Sequence, residues 1–92
     1  KKNVSTVQLL IDKGANISDR NNNGSTPLMF ACQKGRGPVV QFLIRKGANI
    51  NDRDNDGSTP LMIACQKRHV PVVKLLIDNG ANINDRNNNG ST

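Results

Sequence analysis

Few groups in this chain could carry out covalent chemistry. There is one histidine, His69, two cysteines, Cys32 and Cys65, and seven acidic residues, all aspartate. Nucleophilic or acid–base catalysis needs a nucleophile, a base and an orienting group held within hydrogen-bond reach of one another. His69 has no second imidazole to work with, and the position 33 residues before it holds Arg36. A scaffold role therefore describes His69 better than catalysis does, and no enzyme activity is expected. Two thiols with no nearby imidazole do not complete a zinc set, so neither metal nor cofactor is expected. Cys32 and Cys65 are themselves 33 residues apart. If that interval is one layer of stacked helices, the thiols stand about 8–10 Å apart, beyond the roughly 7 Å Cα limit of a disulfide. Both are expected to be buried, reduced and inert, which suits a cytoplasmic or nuclear setting. Asn-x-Ser triplets begin at Asn3, Asn16, Asn23 and Asn89. Such triplets arise often in a chain with fourteen asparagines, and glycosylation is not expected.

Composition narrows the partners. Leu, Ile, Val and Phe make up 23 of 92 residues, above the roughly 20% below which a charged chain stays disordered. With two Phe, no Trp and no Tyr, the aromatic platforms that stack on bases or sugars are missing. No apolar run approaches the roughly 20 residues that cross a bilayer, and no charged-then-apolar stretch resembles a signal peptide. The chain starts at Lys1 rather than Met, which leaves open an upstream targeting segment. The formal charge of +6 permits attraction to nucleic acid or to an acidic protein. The basic residues are spread over the whole chain, which weakens the nucleic-acid reading.

The elements that must position these residues follow from an internal repeat. Gly24-Ser25-Thr26-Pro27-Leu28-Met29 returns as Gly57-Ser58-Thr59-Pro60-Leu61-Met62 and restarts at Gly90-Ser91-Thr92. Gly14-Ala15-Asn16-Ile17 returns at Gly47 and Gly80, and residues 24–56 match 57–89 at 23 of 33 positions. A period near 33 indicates stacked supersecondary units. The array divides into a partial repeat 1–23, repeats 24–56 and 57–89, and the start of another at 90–92. In each unit Thr26 or Thr59 stands as a helix N-cap with Pro27 or Pro60 behind it at the first helical position. Leu28, Ala31 and Cys32, and likewise Leu61, Ala64 and Cys65, then give a narrow face of small residues. Gly35-Arg36-Gly37 breaks this helix. Pro38 opens a second, nearly all-apolar helix that ends at Gly47, with counterparts ending at Gly14 and Gly80. Asn23-Gly24, Asp56-Gly57 and Asn89-Gly90 read as tight turns. Helices this short are marginal alone, so stacking must supply their stability.

The stretch Asp56-Gly57-Ser58-Thr59-Pro60-Leu61, followed by Ala64, His69, Val72-Val73, Leu75-Leu76 and Gly80-Ala81-Asn82-Ile83-Asn84, resembles the ankyrin repeat in register. The resemblance implies an all-α solenoid of helix-turn-helix units linked by hairpin-like turns. It also implies a non-catalytic scaffold that binds a partner protein through a concave surface of turn tips and first helices. By position, the contact residues are Asn22, Asn23, Ser25, Gln33, Lys34 and Arg36 in one repeat and Asn55, Asp56, Ser58, Gln66, Lys67 and Arg68 in the next. The lysines and arginines among them favour an acidic partner. Phe30 and Ile63 adjoin this surface and are expected to pack in the core. The same resemblance makes Asn51 and Asn84, each eight residues after a leucine (Leu43, Leu76), candidates for asparaginyl hydroxylation. Three departures stand out: Met29 and Met62 replace a turn-tying histidine and should loosen the turn, Arg68 replaces the glycine found at Gly35, and Pro38 and Pro71 open the second helices.

Charges also recur by repeat. Asp19-Arg20, Asp52-Arg53 and Asp85-Arg86 form one row, and Asp12, Arg45 and Asp78 another of alternating sign. Pairing between repeats, at about 0–1 kcal/mol per exposed pair, is favoured for the Asp12 row. For the Arg20 row, pairing and a docking strip remain open. Ends cut inside repeats, with apolar residues around Leu9, Leu10 and Ile83, would allow head-to-tail self-association.

Overall fold

A computed structural model describes residues 16–90. Among them lie four helices and no strand: α1 (Pro27–Lys34), α2 (Gly37–Arg45), α3 (Pro60–Gln66) and α4 (Val70–Asp78). The helix expected before Gly14, with Leu9, Leu10 and Asp12, lies outside the described residues, as do Asn3 and Ser91-Thr92.

The Thr-Pro starts behave as the sequence requires. The hydroxyls of Thr26 and Thr59 each accept from the amide of the methionine three residues on, at 3.3 Å, and the prolines fill the first turn where no N–H is needed. Met29 and Met62 do more than vacate a histidine position. Their sulfurs accept from the amides of Thr26 and Thr59 at 3.4 and 3.5 Å, closing a reciprocal cap with a weak acceptor. The reciprocal bond at this place is a soft one, and both methionines are buried. Gly35 ends α1 in the left-handed conformation (φ 69°). The second helix starts one residue before Pro38, at Gly37.

First helix lies on first helix (α1 on α3) and second on second (α2 on α4), while each pair closes on itself. The core occupies the space among these four contacts. Leu28, Ala31, Cys32, Val39, Val40, Phe42 and Leu43 come from one repeat, and Leu61, Ala64, Val72 and Leu76 from the next. Small side chains at Ala31, Cys32 and Ala64 allow the first helices to approach closely. The helices, seven to nine residues long, depend on this burial, since about 12–15 residues are needed for even marginal helicity alone.

One backbone position departs from ease. Arg68 is the only non-glycine described with a positive φ, 62°, at the place where the preceding repeat has Gly35. Left-handed backbone costs an L-residue about 1–2 kcal/mol, and glycine returns part of this through greater unfolded-chain entropy. Arg68→Gly is expected to raise stability by about 0.5–1 kcal/mol, read as a higher urea midpoint at unchanged slope. Gly35→Ala should lower the midpoint. A Cβ there would meet the His69 ring at 2.6 Å from Nδ1, in addition to the strain of φ 69°.

Candidate interaction surface

Each hairpin tip is built by an Asn or Asp folding its own turn. Asn21 Oδ1 accepts from the amides of Asn23 and Ser25 at 2.9 and 3.0 Å, and Asp54 Oδ1 from those of Asp56 and Ser58 at 2.9 Å. Gly24 and Gly57 close the turns by donating to the Asn21 and Asp54 carbonyls at 2.9 Å. Their positive φ values, 76° and 78°, lie in the left-handed region that glycine enters without steric cost. Adjacent tips are then stapled together. The Asn55 amide donates to the Asn23 carbonyl at 3.0 Å and its side-chain Nδ2 to the Asn22 carbonyl at 3.0 Å. Asn88 repeats both bonds, to Asp56 at 2.9 Å and to Asn55 at 3.2 Å.

Arg20 and Arg53 form a second seam. From each, Nη1 donates to two carbonyls, one in its own turn (Gly24 at 2.9 Å, Gly57 at 2.7 Å) and one in the next repeat (Arg53 and Arg86). Nη2 meets Asp52 from Arg20 at 3.3 Å and Asp85 from Arg53 at 3.4 Å, the ion pairs found among the described residues. The row left open between docking and structure is thus an inter-repeat brace. In the other row Asp12 lies outside the described residues, and neither Arg45 nor Asp78 enters these ion pairs.

The sequence-selected contact residues divide by role. Asn55 is committed to the tip staple, and Ser25 and Ser58 are half-buried. Asn22, Asn23 and Asp56 expose their side chains at the tips, and Gln33, Lys34, Arg36, Gln66, Lys67 and Arg68 are exposed at the ends of the first helices and in the loops after them. Lys34 Nζ lies 5.5 Å above the Phe30 ring. None of Lys34, Arg36, Lys67 and Arg68 takes part in an ion pair among the described residues.

Two expectations are corrected. Phe30 is 57% exposed rather than packed in the core. Its counterpart Ile63 is partly buried against the core. The reason is layering. Ile63 faces the stack of α1 on α3, whereas Phe30 borders an open groove of about 550 Å³ floored by Pro27, Ala31, Val39 and Leu43. Cys65 is exposed, not buried, whereas Cys32 is fully enclosed. No described helix covers α3 as α3 covers α1. Both thiols are free, and burial pushes the Cys32 thiol up from 9.0 to about 12.

His69 joins the scaffold. Its Nε2 lies 3.0 Å from the Gln33 carbonyl across the repeat boundary, so this nitrogen carries the proton. Asn51 and Asn84 are exposed, and Asn51 Oδ1 accepts from the Asn82 amide of the next repeat at 2.9 Å. The described residues hold no cluster of His, Cys and Asp suited to a metal ion, and no helix long and apolar enough to cross a membrane.

A family model for ankyrin repeats (three copies) matches residues 1–87. The chain belongs to the ankyrin-repeat family. A comparison with curated proteins gives no match. Ankyrin repeats are in general protein–protein interaction modules without catalysis, in keeping with seams that bind repeat to repeat and leave the first-helix ends to solvent. Two features that sequence reasoning missed, the arginine-to-carbonyl forks and the asparagine staple, had a visible signal in their strict recurrence every 33 residues.

Three outcomes follow. In the folded ankyrin array a neutral-pH thiol reagent should label Cys65 and spare Cys32 until denaturant is added, as mass spectrometry of the labelled peptides will show. Between pH 9 and about 12 the unfolded Cys32 loses its proton and the folded one retains it. Stability should therefore fall as pH rises through this window, and Cys32→Ala should abolish that part of the fall. Arg53→Lys should cost about 1–2 kcal/mol in urea titrations, because an ammonium cannot reproduce the fork between two carbonyls and Asp85.

Proposed function

We propose that this ankyrin segment is a non-catalytic scaffold that binds an acidic region of a partner protein through its hairpin tips and the ends of its first helices. The observation that carries this reading is a division among the cations. Arg20 and Arg53 are consumed by the inter-repeat seam, whereas Lys34, Arg36, Lys67 and Arg68 are exposed and enter no ion pair among the described residues. Unpaired cations raise association rates with acidic surfaces more than they deepen affinity. Phe30, exposed beside Lys34 at the edge of an apolar groove, supplies the kind of aromatic anchor that concentrates binding energy.

Charge reversal separates this surface from the rest of the molecule. Lys34→Glu combined with Lys67→Glu should abolish capture of partners by the immobilised chain, and raised salt should weaken capture by the unaltered chain. Arg45→Glu, an exposed cation on the outer side of α2, should leave capture unchanged. Recovery of the same partners by the reversed variant would show that this surface is not the site. Salt-dependent retention of duplex DNA through the same lysines would instead favour the nucleic-acid reading.

A further inference from the structure

The three hairpins end in Asn23-Gly24, Asp56-Gly57 and Asn89-Gly90. Asparagine before glycine is the dipeptide most open to attack on its own side chain, since glycine leaves its nitrogen unhindered and its backbone free to turn. In that reaction the glycine nitrogen adds to the asparagine Cγ. A C–N bond forms, the carboxamide C–N bond breaks, and ammonia leaves with the glycine N–H proton. Water then opens the five-membered succinimide, at one carbonyl to aspartate and at the other to isoaspartate. No oxidant or reductant takes part.

We infer that Asn23 and Asn89 are sites of this spontaneous conversion, with Asn23 shielded by Asn55 of the following repeat and no such neighbour at Asn89 among the described residues, so that in this chain the tips gain carboxylates at different rates. Both side chains are exposed. Cyclisation has to swing the peptide unit between the asparagine and its glycine. At Asn23 that motion breaks the bond from Gly24 to the Asn21 carbonyl and the bond from the Asn55 amide to the Asn23 carbonyl, at 2.9 and 3.0 Å. It also has to move past Asn55, whose Oδ1 and amide nitrogen would lie 2.4 and 2.9 Å from a Cβ at the buried Gly24. At Asn89 the turn bond from Gly90 to the Asn87 carbonyl is present at 2.9 Å. Among the described residues, nothing lies within 4 Å of the corresponding point at the exposed Gly90. Conversion at each tip then follows the free energy of local opening, which is larger where a following repeat is stapled on.

The middle hairpin already contains the aspartate product. Asp56 keeps the turn, and its carbonyl accepts from Asn88 at 2.9 Å as that of Asn23 does from Asn55. Aspartate at 23 is therefore accommodated and adds a negative charge to the row of tips. Isoaspartate, by contrast, inserts a methylene into the main chain and carries the carbonyl out of reach of Asn55.

The test is prolonged incubation of the chain at neutral pH and physiological temperature, followed by peptide mapping. The readouts are the mass gained when –NH2 becomes –OH and methyl labelling by an isoaspartyl methyltransferase. Asn89 should convert several-fold faster than Asn23, and the two should converge in denaturant. Asn55→Ala should accelerate Asn23 several-fold. Asn88→Ala removes the same staple one repeat on without touching Gly24, and should leave Asn23 at its original rate. Equal rates at 23 and 89 in the folded chain, no conversion at either, or equal acceleration of Asn23 by both variants would overturn the inference. The last result would assign control to global unfolding.

Discussion

The contact on which the rest of this molecule depends is that of one first helix against the next. Helices of seven to nine residues do not hold themselves; α1 and α3 exist because they lie together. The chain arranges this with side chains that take little room. Cys32 is 0% exposed beneath α3, and Ala64 is 0% exposed on the other side of the boundary. A larger residue at either place would push the layers apart and open both polar seams. Cys32 thus does the work of a small apolar residue, and its raised pKa, about 12, is a by-product of that packing.

Given this spacing, the hairpin row falls into register and its composition becomes intelligible. Backbone groups at a tip have no sheet to satisfy them, so each repeat supplies its own acceptors. Asn21 and Asp54 fold the turns, and Asn49 and Asn82 accept from the amides two residues on in the preceding loops. Asn55 and Asn88 then reach across to the neighbouring carbonyls. Arginine fits the second seam because one planar head satisfies two carbonyls and a carboxylate at once. Only part of the seam's contribution is electrostatic. The exposed ion pairs would add little alone, but the same guanidinium also binds carbonyls on both sides of the boundary.

Much of this was legible in the chain before the structure. The 33-residue period gave the layers, Thr-Pro gave the helix starts, and Arg68 standing in the place of Gly35 is the departure between repeats that coincides with a left-handed backbone, φ 62°. Phe30 and Cys65 were misjudged for a shared reason. Repeat sequences are nearly translationally symmetric, while burial depends on which layer has another layer on it. Cys32 and Cys65 occupy equivalent places in their sequences, yet one is enclosed and the other open. The methionine cap was missed for a different reason: thioether sulfur is so weak an acceptor that only the close geometry within the turn shows it in use.

The two full repeats differ at ten of their 33 positions, and where they differ bears on recognition. Residues that staple, cap or seal the stack are mostly identical between them: Thr26 and Thr59, Cys32 and Cys65, Asn55 and Asn88, Arg53 and Arg86. Four of the differences lie between the middle of the first helix and the start of the second, where Phe30, Gly35, Arg36 and Gly37 stand against Ile63, Arg68, His69 and Val70. His69 answers to the neighbouring repeat, but Phe30, Arg36, Arg68 and the 60%-exposed Val70 face solvent. Gln33-Lys34 and Gln66-Lys67 are the same in both repeats and so cannot alone tell one stretch of a partner from another. On the proposed reading, the positive charge common to both repeats would steer a partner and the unlike loop residues beside it would discriminate. The scaffold tolerates variation there because neither seam passes through those side chains.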